Sequence, residues 1–317
     1  MDFRLWPDEM DLLRAEAREV VDTTGAVMPR AELHPGMTRD ERIAAHRATH
    51  VVPPEFTVPE AVDRGIAGVP CRVIAAAEPR AVYLHFHGGG MVAGSPMMMD
   101  IPNRELARRL GMTVVSVDYR KAPEHPWPAG PDDGVAVAGW LLEEAGREFG
   151  TSRLLLGGES AGAYMAASVA LRIRDELGAP DRVSGLNLVF GVYDWGRTPS
   201  QRGARPQEGF DLLDPEGIEF FTDCFLPGRS DDERRAPEIS PLYADLAGLP
   251  PCLLTVGTCD HLFDDTFLLA GRAAVAGVEV DLVVLPEMPH AFMLYGCGIT
   301  KAWMEETSAW FAAHLDA

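Results

Sequence analysis

The pentapeptide Gly158-Glu159-Ser160-Ala161-Gly162 sets a serine between two glycines, after the apolar run Leu154-Leu155-Leu156 and before a helical pattern at Ala166, Val169, Ala170 and Ile173. A serine on a tight strand-to-helix turn is placed to act as a nucleophile. Small neighbours let the backbone close up, and the helix N-terminus favours developing negative charge. The competing reading is a glycine-rich turn whose serine merely caps the helix. His87-Gly88-Gly89-Gly90 follows another apolar run at residues 81–86. Acyl transfer places negative charge on a carbonyl oxygen, which needs preorganised N–H donors. The amides of Gly88 and Gly89, joined by that of Ala161, are the expected donors; a flexible loop at a strand end is the alternative.

A nucleophilic serine needs a base, and the base needs an orienting carboxylate. For a serine on such a turn, the chain order is serine, acid, histidine. Residues 252–256 form the strand after which the acid should come, and Asp260 lies just beyond it. Residues 279–285 form the next strand, and His290 sits in the loop past its end. Ser160, Asp260 and His290 are therefore the expected triad. His261 comes too early for that order, His85 lies inside a strand and reads as packed or capping, and His87 reads as a shaper of the glycine loop. Asp264 and Asp265 rival Asp260 but fit the first turn of the following helix. Met91, Met97, Met98 and Met99 follow the glycine loop. Methionine adapts its shape, so Met91 and Met97 are candidates to line an acyl pocket, with ordinary packing as the alternative.

These residues must be held by alternating strands and helices. Aliphatic runs occur at 81–86, 112–117, 153–156, 183–190, 252–256 and 279–285, with helical stretches between most of them. Such continuous runs suit strands buried on both faces, hence a mostly parallel sheet covered by helices. Upstream, Met10, Leu13, Ala17, Val20 and Val21 share one helical face that Gly25 closes. Thr38 and Glu41 have capping-box spacing for a second helix, and Pro53-Pro54 ends it in an extended linker. The connection from Phe190 to Cys252 is long; within it Asp214 can cap a helix with Pro215 in its first position, and Ile218, Phe221 and Phe225 would share a face. The expected organisation is a helical cap built from residues 1–55 and an insertion at about 191–235, over a catalytic domain of residues 56–317.

Taken together, the chain resembles the bacterial hormone-sensitive-lipase family of α/β-hydrolases. The matching pieces are Phe86 with His87 to Gly90, the stretch Asp118-Tyr119-Arg120-Lys121-Ala122-Pro123-Glu124-His125-Pro126-Trp127-Pro128-Ala129, Gly158 to Gly162, Ser240-Pro241-Leu242-Tyr243, Gly248-Leu249-Pro250-Pro251, Asp260 with Leu262 and Asp264, and His290-Ala291-Phe292. The resemblance implies an α/β-hydrolase fold, hydrolysis of short- to medium-chain esters, no cofactor, and a structural Tyr119–Ala129 segment that braces the glycine loop. Two positions depart from the family pattern: Glu159 stands where Asp or Thr is usual, and Ala163 where Gly is frequent. Plant gibberellin receptors are similar to this family and bind without turnover, having lost the histidine; His290 is present here. The same triad also serves lactone and amide hydrolases.

Composition bounds the partners. With 28 basic and 48 acidic residues, the 317-residue chain carries a formal charge of -20, which repels nucleic acid and anionic membranes. A hydrophobic fraction of 47% supplies a sizeable core. Five irregularly spaced cysteines show no zinc or redox pattern and read as free thiols of a reducing cytoplasm. Neither a signal peptide nor a bilayer-spanning run is evident, no metal is expected, the expected partner is a small ester, and a homodimer is compatible with the sequence.

Overall fold

The computed structural model describes residues 6, 8–25, 31–203 and 212–316. In chain order the helices and strands are α1 (Asp8–Asp11), α2 (Arg14–Gly25), α3 (Arg39–Ala48), β1 (Val62–Ile66), β2 (Val69–Ile74), β3 (Ala81–Phe86), α4 (Asp100–Leu110), β4 (Met112–Val117), α5 (Ala129–Phe149), β5 (Leu154–Glu159), α6 (Ala161–Asp175), β6 (Val183–Val189), α7 (Pro215–Phe225), α8 (Asp231–Arg234), β7 (Cys252–Cys259), α9 (Phe263–Val275), β8 (Val280–Pro289) and α10 (Gly298–Asp316).

The strands form one eight-stranded sheet in the order β1-β2-β4-β3-β5-β6-β7-β8. β1 and β2 pair antiparallel, β2 meets β4 antiparallel, and every other pairing is parallel. The order runs outward both ways from β3 and β5, the two strands that end at the glycine loop and at Ser160. Alternation along the strands divides the core into two layers. Val82, Leu84, Phe86, Leu154 and Leu156 face α5, α6 and α9, while Ala81, Tyr83, Val114 and Leu155 face the layer that holds Trp310 and Phe311 of α10. Burying each of these leucines contributes about 1.5–3 kcal/mol.

The N-terminal helical pattern is split. Met10 of α1 and Ala17 and Val21 of α2 pack into the α10 layer, and Arg14 and Arg18 reach Glu287 of β8 at 2.6 and 2.7 Å. The Thr38–Glu41 capping box starts α3, which lies on α7. There His46 stacks on Phe220 and meets Phe221 edge-on, with ring centroids 5.5 and 4.7 Å apart, and Arg42 pairs with Glu216 at 3.1 Å. Asp214 caps α7 through the Gly217 amide at 2.6 Å. Part of the expected insertion, residues 204–211, lies outside the described residues.

The chain leaving β6 is tied down by Asp265 of α9. One carboxylate oxygen accepts from the Tyr193 and Asp194 amides at 2.7 and 2.8 Å; the other accepts from the Thr198 hydroxyl and the Gln201 amide at 2.8 and 2.7 Å. Asp265 is fully buried, and burial pushes its carboxyl up to about 7 against the pull of these donors. Replacing it by Asn puts an NH2 group among N–H donors, at an expected cost of about 3 kcal/mol. The raised value also fixes a pH signature. Between the unfolded carboxyl value of about 4 and the folded value, only the folded state holds the proton, so stability from this group falls as pH rises through that window and is level above it. Asn does not titrate. The stability gap between wild type and Asp265→Asn, from urea denaturation curves, should therefore be wider near pH 5 than near pH 8. Equal gaps would show that the carboxyl is not raised.

Candidate active site

β5 runs directly into α6 through Ser160, whose backbone angles are φ 56° and ψ −121°. A non-glycine residue at positive φ stores about 1–3 kcal/mol of strain and persists only where its surroundings over-determine it. Here the Ser160 amide donates to the Val189 carbonyl at 2.9 Å, and the Ser160 carbonyl accepts from Ala163 at 3.0 Å and Tyr164 at 3.2 Å. The flanking glycines are required by contact. A Cβ on Gly158 would stand 2.2 Å from the Phe86 carbonyl oxygen, and one on Gly162 only 1.9 Å from it. The Ser160 side chain makes no capping bond, so the capping alternative fails.

The hydroxyl instead meets His290, with Ser160 Oγ 3.0 Å from Nε2. His290 Nδ1 lies 2.8 Å from Asp260 Oδ2, and Asp260 Oδ1 accepts from the Leu262 amide at 2.8 Å. Strand register produces this meeting. Cys259 pairs with Pro289 at the ends of the neighbouring parallel strands β7 and β8, so Asp260 and His290 are the next residue on each. Both strands run further than the sequence pattern indicates, which removes the gaps expected before the acid and the histidine. Asp260 is 1% and His290 6% exposed, and Phe190 packs on the imidazole with ring centroids 4.6 Å apart.

Beside this trio lies the glycine loop, because Phe86 of β3 pairs with Gly158 of β5. Tyr119 stacks on His87 at 4.4 Å and donates its hydroxyl to the His87 carbonyl at 2.8 Å. Burial, aided by Lys121, holds His87 well below the usual imidazole range, so it is a neutral shaping group. Gly89 has φ 120°, and a Cβ there would stand 2.2 Å from the Ala93 carbonyl oxygen. The N–H groups of Gly88, Gly89 and Ala161 donate none of the loop and turn hydrogen bonds of the described residues. Three N–H groups thus stand unspent near the Ser160 hydroxyl.

Met91 is buried, its methyl against Gly130 of α5, whereas Met97 is 38% exposed. Asp264 accepts from the Ser200 amide at 2.9 Å and so serves the same loop as Asp265. Sequence reasoning missed Arg47, and it placed Phe221 on a helix face without its contact to the glycine loop. Arg47 of α3 donates to the Val92 carbonyl at 3.0 Å and pairs with Glu124 at 2.7 Å, bracing the glycine loop from outside. Phe221 of α7 covers Gly90, where a Cβ would stand 2.7 Å from its ring. Neither contact carries a local signal, since both act across the fold.

A family model described as alpha/beta hydrolase fold matches residues 83–294. Carboxylesterase NlhH of Mycobacterium tuberculosis is 34% identical over 259 residues, 78% of either chain. The chain belongs to the bacterial hormone-sensitive-lipase family of α/β-hydrolases. Ethyl acetate hydrolase of Pseudomonas putida is 31% identical over 292 residues, covering 90% of this chain and 85% of its own. Among solved structures, a hormone-sensitive lipase from a metagenome library superposes with a TM-score of 0.75 at 30% identity over 97% of either chain. A hyperthermophilic esterase from Pyrobaculum calidifontis reaches 0.81 at 25% identity, over 96% of this chain and 99% of that one.

The two acids that competed in the sequence have different surroundings, which gives a test. Asn at position 260 keeps the size of Asp but favours the wrong imidazole tautomer, and the analogous change costs on the order of ten-thousand-fold in turnover. Asp260→Asn is therefore expected to lose turnover while its melting temperature changes little. Asp264→Asn should keep most activity and lose about 1 kcal/mol through its Ser200 contact. An inactive Asp264→Asn beside an active Asp260→Asn would reverse the assignment.

Proposed function

We propose that this hydrolase cleaves carboxylic esters with short to medium acyl chains through an acyl-enzyme on Ser160. The observation that carries the reading is the continuous contact from Ser160 Oγ through His290 to Asp260, 3.0 and 2.8 Å, beside three unspent amides. His290 Nε2 takes the hydroxyl proton as Ser160 Oγ attacks the ester carbonyl carbon. The carbonyl π electrons move to oxygen, and the Gly88, Gly89 and Ala161 amides bind the resulting oxyanion. Collapse of that intermediate breaks the bond to the alkoxide, which takes the proton from His290 and leaves as the alcohol. Water then repeats the sequence on the acyl-enzyme, releasing the acid and restoring Ser160. Asp260 holds the imidazole tautomer and stabilises its cationic form.

The chemistry needs side chains, backbone and water only. We assign the cap to the N-terminal helices and the insertion that contains α7. Phe221 against Gly90 limits the space beside the loop and favours small acyl groups. The names carboxylesterase and ethyl acetate hydrolase among the relatives support the same class. A receptor of this fold needs no base on the serine, whereas His290 contacts it directly.

An organophosphonate should label Ser160 stoichiometrically, read by intact mass and peptide mapping. Removing the nucleophile of such a triad costs about a million-fold in kcat, so Ser160→Ala should be inert. p-Nitrophenyl esters from acetate to palmitate, with one lactone and one anilide, should give highest kcat/KM at the short end. An inactivating adduct elsewhere, or a lactone or anilide preferred over every ester, would overturn the proposal.

A further inference from the structure

The chain contains a second serine–histidine–carboxylate set. His85 Nε2 lies 3.1 Å from Glu159 Oε2, and His85 Nδ1 lies 2.5 Å from Ser116 Oγ. The three residues come from β4, β3 and β5, which are neighbours in the sheet. His85 pairs with Ser116 in the β3–β4 register and with Gly157 in the β3–β5 register, so the side chains line one face. That face packs against the layer containing Tyr83, Leu155 and Phe311.

Burial decides what this set can do. His85 is 0% and Ser116 2% exposed, against a partly exposed Ser160. No ester carbonyl reaches the Ser116 hydroxyl, so the set is not another nucleophilic centre. Both ring nitrogens of His85 are instead satisfied within the set, at the buried end of a Glu159 side chain that is itself partly exposed. With the proton on Nε2, His85 donates to the Glu159 carboxylate and accepts from the Ser116 hydroxyl on Nδ1. An apolar layer makes such bonds strong and makes their loss costly.

Position gives the set its consequence. Glu159 immediately precedes Ser160, and His85 stands two residues before His87 and three before Gly88. The pair therefore joins the last turn of the strand that delivers the oxyanion donors to the last residue of the strand that delivers the nucleophile. It does so next to the close approach of Gly88, whose Cβ would stand 3.1 Å from the Glu159 carbonyl oxygen.

We propose that Glu159 and His85 are a positioning pair that fixes the Ser160 turn against the Gly88-Gly89 loop, with Ser116 setting the tautomer of His85. This rests on the acyl-enzyme reading above and adds to it two residues that never touch substrate. It also accounts for the longer Glu at a position where the family has Asp or Thr. Asp is one methylene shorter and would fall short of Nε2.

The test uses the full-length protein with p-nitrophenyl acetate. A displacement of about 1 Å between reacting groups can cost up to a hundred-fold, so Glu159→Gln and His85→Gln should each lower kcat roughly 10- to 100-fold, with KM within about twofold. Because the two act as one unit, the double variant should be no worse than the poorer single, the mark of coupled residues. The rate of phosphonate labelling at Ser160 should fall in step with kcat. Glu159→Asp and Ser116→Ala are milder changes that serve if either Gln variant fails to fold; both should lower kcat without moving KM. Folded Gln variants with wild-type kcat, losses that multiply in the double variant, or wild-type kcat in both milder variants would overturn the pair. Ser160→Ala is measured alongside. If it stays active, the acyl-enzyme reading fails; if it is inert while the pair variants match wild type, only the positioning pair fails.

Discussion

The Phe86 carbonyl oxygen lies where Cβ atoms on Gly158 and Gly162 would collide with it, at 2.2 and 1.9 Å. This backbone contact between the end of β3 and the turn after β5 constrains everything in the site. Any side chain at either glycine would push the strands apart and carry the Gly88-Gly89 amides away from the Ser160 hydroxyl. The same contact explains why a serine can hold φ 56°. Its amide and carbonyl are both bonded, its flanking residues are jammed against β3, and the strain has no outlet. Packing and ladder bonds stabilise a turn that the local sequence alone would not adopt.

Charge is handled by environment rather than by residue type. The chain carries a formal charge of -20, yet the carboxylates near the site have separate tasks. Asp260 divides its oxygens between the Leu262 amide on Oδ1 and the His290 imidazole on Oδ2, so one oxygen is held by backbone while the other orients the ring. Asp265, five residues later, spends both oxygens on four donors and anchors the chain that leaves β6. His87 is kept neutral by burial, so it shapes the glycine loop without adding a cation beside its amides. His290 and His87 are both buried, so what separates them is the partner each one meets.

How far the sequence could be read follows from the range of each interaction. The parallel strands, the turn at Ser160 and the order of acid and histidine are local or ordered along the chain: the aliphatic runs mark the strands, and Gly158-Glu159-Ser160-Ala161-Gly162 marks the turn. The β1–β2 hairpin was not legible. Val62-Asp63-Arg64-Gly65-Ile66 is half polar, Pro70 interrupts the next run, and the turn lies at Ala67-Gly68 with both residues at positive φ. Asp264 and Asp265 do sit in the first turn of a helix, as their spacing indicates. Their work for residues 193–201 is invisible locally because the partners are more than 60 positions away. Glu159 could be flagged as unusual, but its partner required knowing that β3 and β5 are adjacent and in which register.

The donor loop is shared between two parts of the chain, and this ties rate to selectivity. From inside, Phe86 and Tyr119 set its backbone; from outside, Arg47 of α3 holds the Val92 carbonyl and the Phe221 ring of α7 covers Gly90. His46 of α3 packs on Phe221, so α3, α7 and the loop form one contact surface. In the proposed reaction, a change at Phe221 that opens room for a larger acyl group also removes a wall from the loop that carries the Gly88 and Gly89 amides. Under that proposal, acyl size and the geometry of the Gly88-Gly89 amides are not independent variables. Gly90 can take that ring only because it has no side chain and sits at φ 62°, so a single glycine sets how closely the α7 helix approaches the amides.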